Sequence, residues 1–325
     1  MASIPPCGPP LPPSPCESTL KFSHQCRCYH YHHSLVMHTN RAYTNTVVQN
    51  FRSDHIYDLY IRSAALGYTD ADIELKQINL AEGENFKPGF LKINRNGTLP
   101  TLVEPNGYIV HGRTKSVVRY LIKHAPKPEL AGKSSGSDLI EKLHSDAVDP
   151  NFAMIGFRND EELAEKAKGS VGAYIAQRQA ALQKYADTSP PEFEEFYESK
   201  IVHNGLMYTH LFGISAKAKQ ALFNKTTRLW DSIKEFITEA LPGYLPEPES
   251  EGKFIGGAAP GEDDFHLVAW LGRIALVNGG AADASGVDAI SKVLEGAAVP
   301  AKVKAYWVNW ASTEAFKKAY ADGLH

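Results

Sequence analysis

The stretch Phe86–Val103 reads FKPGFLKINRNGTLPTLV, and its punctuation sets the pattern for everything around it. Lys87-Pro88 opens a short helix or turn over Phe86 to Ile93, because proline is preset for the first helical position and needs no N–H there. Asn96-Gly97 is a turn pair, and Leu99-Pro100-Thr101-Leu102-Val103 is extended beyond it. Pro105-Asn106-Gly107 then makes a hairpin turn into Tyr108-Ile109-Val110. Ser116 to His124 closes the run as a helix whose apolar residues are Val117, Val118, Leu121 and Ile122. Working upstream, Ile73, Leu75, Ile78 and Leu80 sit in a second extended segment. Ile56 to Leu66 is a helix stopped by Gly67, and Thr46 to Phe51 is a buried strand before the turn Arg52-Ser53-Asp54-His55. Strand, helix, strand, short helix, strand, strand, helix is a small α/β sandwich over residues 46–124.

From Ser137 onward the pattern is helical alone. Leu139 to Val148, Glu161 to Ala186, Glu192 to Leu211, Ala216 to Ala240, Asp263 to Val277, Val287 to Leu294 and Pro300 to Trp310 carry apolar residues three and four apart. Residues 125–136, rich in Pro, Gly and Ser, read as the linker between 46–124 and an all-helical part at 137–325. The expected fold class is α/β plus all-α.

The first 45 residues are different material. Seven prolines crowd Pro5 to Pro15, and Phe22 to His38 holds five histidines with Cys26 and Cys28. Neither piece has the periodicity of a core element, so residues 1–45 are expected to be disordered or ill-defined. They lack the basic start and apolar centre of a secretory signal and the arginines of a transit peptide. Cys26 and Cys28 stand too close for a zinc hairpin, so no metal is expected. All four cysteines lie in the first 28 of 325 residues, so no disulfide framework holds the remainder. That fits a reducing, cytoplasmic compartment. A balance of 34 basic against 37 acidic residues argues against nucleic acid as partner, and no apolar run is long enough for a membrane span.

Phe86–Val103 resembles the glutathione transferase signature, in which a Lys-Pro helix leads to an Asn turn and an apolar-Pro step. In that family the proline is cis, and the backbone of the residue before it pairs with the cysteinyl part of glutathione. Phe254–Ile274, FIGGAAPGEDDFHLVAWLGRI, resembles the helix-start motif of the family's C-terminal domain, in wording closest to fungal members. There a Ser or Thr cap faces an Asp three residues later; here Gly261 holds the cap position and Asp264 the acidic one. His266 and Trp270 are read as core packing. The resemblance implies a thioredoxin-like N-terminal domain followed by an enlarged all-helical glutathione-transferase C-terminal domain. It spans roughly Thr46 to Ala311.

Counting back from Gly67 reaches Ser53, where Ser/Cys-type members of the zeta and omega kind place the group that activates the thiol. A serine there is equally suited to be a plain helix cap. The resemblance further implies that Lys87, Leu99, Pro100, Arg113 and Thr114 contact glutathione together with Ser53. Arg113-Thr114, in Val110–Leu121 (VHGRTKSVVRYL), replaces the family's Glu-Ser pair. Thr114 keeps a hydroxyl for the γ-glutamyl carboxylate, whereas Arg113 has the wrong sign for the glutamyl ammonium. His144 to Phe152 is a candidate wall for an electrophile, or else interior packing. The implied activity is a detoxifying transferase: glutathione as co-substrate, its thiolate attacking a small hydrophobic electrophile, in a homodimer that needs no metal. Arg113 keeps a second class open, a glutathione-transferase-like protein that binds or regulates without turnover.

Overall fold

Four strands form one mixed sheet: β1 (Asn45–Asn50), β2 (Ile73–Ile78), β3 (Thr101–Val103) and β4 (Ile109–Val110), in the order β2-β1-β3-β4. β1 runs parallel to β2 in the register Val47↔Leu75 and antiparallel to β3 in the register Val48↔Thr101. β4 closes the edge as a hairpin with β3, turning at Gly107, whose φ of 86° lies in the left-handed region that favours glycine. A parallel pair needs a crossover of a dozen or more residues, and 51–72 supplies it. This is the thioredoxin-like arrangement expected from the sequence. The computed structural model describes residues 45–50, 65–69, 71–111, 114–321 and 323–324, with backbone alone at 45–50, 75 and 77. The expected extension, up to residue 44, and most of the expected helix Ile56 to Leu66 lie outside the described residues.

Between β2 and β3 a tight turn at Glu84–Phe86 leads into the short helix α1 (Pro88–Leu91). After β4 comes α2 (Thr114–Lys123), which buries Val117, Val118 and Leu121. The helical part continues with α3 (Leu139–Leu143), α4 (Pro150–Ile155), α5 (Asp160–Lys168), α6 (Ser170–Ala186), α7 (Glu194–Phe212) and α8 (Ala216–Glu235). It ends with α9 (Glu262–Val277), α10 (Val287–Val293), α11 (Ala301–Ser312) and α12 (Glu314–Ala319). No helix among the described residues is long and apolar enough to cross a membrane.

Two helices expected to be continuous are divided. Leu139 to Val148 is helical only to Leu143, because Asp149 accepts the Asn151 N–H at 2.8 Å and caps a new helix with Pro150 at its first position. Glu161 to Ala186 breaks at Gly169, which is extended; beyond it a Cβ on Gly172 would stand 2.2 Å from the Ala167 oxygen, a turn only glycine closes. The helix Glu314–Ala319 went unexpected; Thr313 caps it by accepting the Phe316 N–H at 3.1 Å.

α9 is the axis of the core. Twelve of its sixteen residues are buried, and Leu66, Leu102, Val117 and Leu121 from the sheet side join Phe265, Leu267 and Trp270 in one apolar cluster. Its start departs from the usual cap. Glycine has no side chain to accept a bond, so only the reciprocal half of the box exists: Asp264 Oδ2 accepts the Gly261 N–H at 2.8 Å. The same fully buried carboxylate accepts the N–H groups of Ile255 and Gly256, each at 2.8 Å, and the Tyr306 hydroxyl at 2.9 Å. The linker locks onto this loop: Gly132 donates to the Pro260 oxygen, Lys133 to the Gly256 oxygen and the Ser135 N–H to Asp263. A Cβ on Gly261 would sit 2.3 Å from the Lys133 oxygen, so the absent Ser or Thr is a matter of space.

Burial pushes the Asp264 carboxyl up to about 6, against the bonds that favour its charge. The folded chain therefore holds that proton more tightly than the unfolded one, and this group's contribution to stability shrinks as pH rises from about 4 through 6. Denaturant unfolding of wild type and Asp264→Asn at pH 4 and pH 7 should show the smaller wild-type advantage at pH 7. Asp264→Ala, which strands one buried and two half-buried N–H donors, should cost about 3 kcal/mol or more at either pH.

Candidate functional site

The segment from Gly83 to Pro100 is a loop with two arms that meet. On the first arm Asn85 is buried, and its amide donates to the Gly97 oxygen on the second at 2.6 Å. Asn94, fully buried, donates to the Thr98 oxygen at 2.8 Å and to Thr101 Oγ1 at 2.9 Å, while its own oxygen accepts the Asn96 N–H at 3.0 Å. Thr101 returns a bond to the Thr98 oxygen at 2.9 Å. Gly97 turns with φ of 60°. The carbonyls of Gly97 and Thr98 are thus drawn inward, and the chain arrives at Leu99-Pro100 in one conformation. That bond is cis, as expected. Among the described residues no hydrogen bond engages the main chain of Leu99.

Lys87 stands on the first arm, half exposed, with its ammonium 2.9 Å from Glu84 Oε1. The bond to Glu84 holds the Lys87 pKa above its ordinary value. Burial works against the Glu84 charge, but the Asn79 N–H and Lys87 outweigh it and hold the carboxyl low. Lys87 is therefore a charged donor already steadied at its base. Thr114 is the first residue of α2 and is buried. Ser53 and Arg113 lie outside the described residues. Asn85 and Asn94 escaped the sequence reading; the signal that could have found them was the density of asparagines around a single turn, three in Asn85–Asn96.

His144 to Phe152 docks along α9 through three contacts. His144 Nε2 lies 3.0 Å from His266 Nδ1, the Trp270 indole donates to the Val148 oxygen at 2.9 Å, and Arg273 donates to Asn151 at 3.2 Å. His266 and Trp270 are buried, in keeping with core packing, while Phe152 stays exposed.

A thioredoxin-like sheet with a helical part, and a loop braced by buried asparagines that ends in a cis proline, define a class of protein. The comparisons with known proteins bear on which one. The chain is 36% identical over 58 residues to glutathione S-transferase D7 of Drosophila melanogaster, covering 18% of this chain and 25% of the relative. It is 29% identical over 126 residues to a zeta-class glutathione S-transferase of Euphorbia esula, covering 37% of this chain and 55% of the relative. The chain thus spans about half or less of the length of these curated relatives. Among solved structures, glutathione transferase F2 from Populus trichocarpa is matched over 86% of this chain and 98% of that one, at 12% identity and a TM-score of 0.46. No family model matches the chain. The curated relatives point to the glutathione transferase family, zeta class included, as the motif around Pro100 does.

Asn94→Ala should cost about 2 kcal/mol in denaturant unfolding, since it removes a fully buried amide that ties the Thr98 oxygen and the buried Thr101 hydroxyl together and leaves the Thr98 oxygen with Thr101 alone. A change within about 0.5 kcal/mol would mean the loop holds its shape without that amide.

Proposed function

We propose that the chain is a glutathione transferase of the Ser type, in which residues 46–124 bind glutathione, 125–136 link and the helical part at 137–325 bears on the second substrate. What carries the reading is the Leu99 main chain: a donor and an acceptor without a hydrogen-bond partner among the described residues, on a strand entry directly after two carbonyls, of Gly97 and Thr98, that buried asparagines hold. An extended peptide such as glutathione can pair with that edge as one more strand would. Lys87 supplies a charge-assisted donor for a carboxylate. Thr114, at the start of α2, and Arg113 before it are assigned to the γ-glutamyl end, where backbone N–H groups and the helix dipole favour an anion.

In this reading the Ser53 hydroxyl donates to the glutathione sulfur. Only the thiolate attacks, so a bond that is stronger to the thiolate than to the thiol raises the reactive fraction at neutral pH. The thiolate then displaces or adds to a small hydrophobic electrophile, with His144 to Phe152 as part of the wall beside it. The reaction needs no metal. A cytoplasmic, detoxifying homodimer is the setting this chemistry suits.

The test is retention on immobilised glutathione followed by conjugation assays on a small panel of electrophiles. Retention with turnover is the expected result; retention without turnover makes the chain a binding or regulatory protein, and no retention removes glutathione altogether. Ser53→Ala should then lower kcat/KM by about 10²-fold while glutathione affinity changes little, because the hydroxyl touches the sulfur and the ends of the tripeptide are held elsewhere. If Ser53 is a cap and nothing more, the same variant loses about 1 kcal/mol of stability with the pH–rate profile unmoved.

A further inference from the structure

The helices α6 and α7 carry none of the residues to which the proposed chemistry gives a role. They form an antiparallel pair joined at Ser189-Pro190-Pro191, and its inner face closes on the loop Gly83–Pro100 at four points. The Tyr197 hydroxyl, on a side chain 1% exposed, donates to the Phe86 oxygen at 2.5 Å and receives a bond from Ser189 at 3.0 Å. The Arg178 guanidinium lies 4.4 Å above the Phe86 ring. Phe196 packs against Gly97 so closely that a Cβ there would be 2.8 Å from its ring edge, and a Cβ on Gly83 would be 2.6 Å from Ala181. Phe86, Leu91, Leu182, Phe193 and Tyr197 make a small apolar core of their own, separate from the cluster around α9.

These contacts grip the loop next to the residues that matter. Phe86 immediately precedes Lys87, and Gly97, tied to Asn85, lies two residues before Leu99. We propose that the α6–α7 pair is a clamp that presets the loop for glutathione, with Tyr197 and Arg178 as its positioning residues. The proposal rests on the glutathione reading. A binding site held in one conformation spends less free energy on ordering when the ligand arrives, so loosening the clamp weakens affinity without touching the reacting sulfur. Linkage makes the effect mutual: bound glutathione steadies α6 and α7 to the same extent that they steady the site.

The experiment uses the full chain. Tyr197→Phe removes one hydroxyl and keeps the ring; Arg178→Met keeps the stem and removes the charge. Glutathione affinity is measured by calorimetry, and KM and kcat by conjugation. Hydrogen exchange follows residues 83–100 and 170–212 with and without glutathione. The clamp predicts a Kd and KM raised about fivefold or more with kcat within about twofold. It also predicts exchange slowed by glutathione in both segments of the wild type. Val202→Ala, on the exposed outer face of α7, should leave all of these at wild-type values. A folded Tyr197→Phe or Arg178→Met chain that binds glutathione as tightly as wild type overturns the clamp. A wild-type chain that binds no glutathione overturns instead the reading beneath it.

Discussion

The main core, which sheet and helices share, is organised by how α9 begins. A helix start leaves backbone N–H groups without partners, and here Gly261, Asp263 and Asp264 at that start are buried. One carboxylate, Asp264, answers for the Gly261 N–H and for two more from Ile255 and Gly256, and Tyr306 reaches it from α11. Because the cap residue is glycine, the linker's backbone can lie against it, with Gly132 and Lys133 pairing to Pro260 and Gly256. A side chain at 261 would restore a familiar cap and evict the linker. The departure from the expected Ser or Thr is thus the means by which the sheet side and α9 are held in contact. Arg119 of α2 adds an ion pair to Glu262 at 2.8 Å in the first turn of the same helix.

The same logic, backbone groups satisfied by a few buried polar side chains, repeats at the cis-proline loop. Asn85 and Asn94 each hold a carbonyl of the opposite arm or of the turn itself, and the main chain of Leu99 is among the groups left without a partner in the described residues. Structure and proposed function meet there: what the loop does not use internally is what a peptide ligand would use. At the end of α4, Lys166 of α5 does for a helix terminus what the asparagines do for the loop. Its ammonium donates to the oxygens of Ala153 and Met154 at 3.1 and 2.7 Å and also to Gly156, and burial lowers its pKa.

The sheet was legible because each strand is bounded by a turn with its own chemistry. Asn106-Gly107 and Asn96-Gly97 need φ above zero, and the structure has both glycines there. The helices were legible as apolar faces and illegible as boundaries. A period of three to four residues persists across Gly169 and across His144 to Asp149, and what breaks the helices is a carboxylate cap and a close backbone approach that periodicity does not encode. The candidate site divides likewise. Leu99-Pro100, Lys87 and Thr114 stand out as a motif and Asn85 and Asn94 as part of a local asparagine cluster, whereas Arg178 and Tyr197 reach Phe86 from far along the chain, Tyr197 from 111 residues away. No local pattern announces such pairs.

Space, and not a missing hydroxyl, decides residue 261. Thermal unfolding of Gly261→Ser against wild type tests it directly. Capping preference alone makes serine better than glycine by a few tenths of a kcal/mol, and the extended backbone at 261 admits it. With the Lys133 oxygen 2.3 Å from the new Cβ, the midpoint should instead fall by about 2 °C or more. A midpoint equal to or above wild type would mean the linker yields, and the lock between linker and α9 would not be what holds the two parts together.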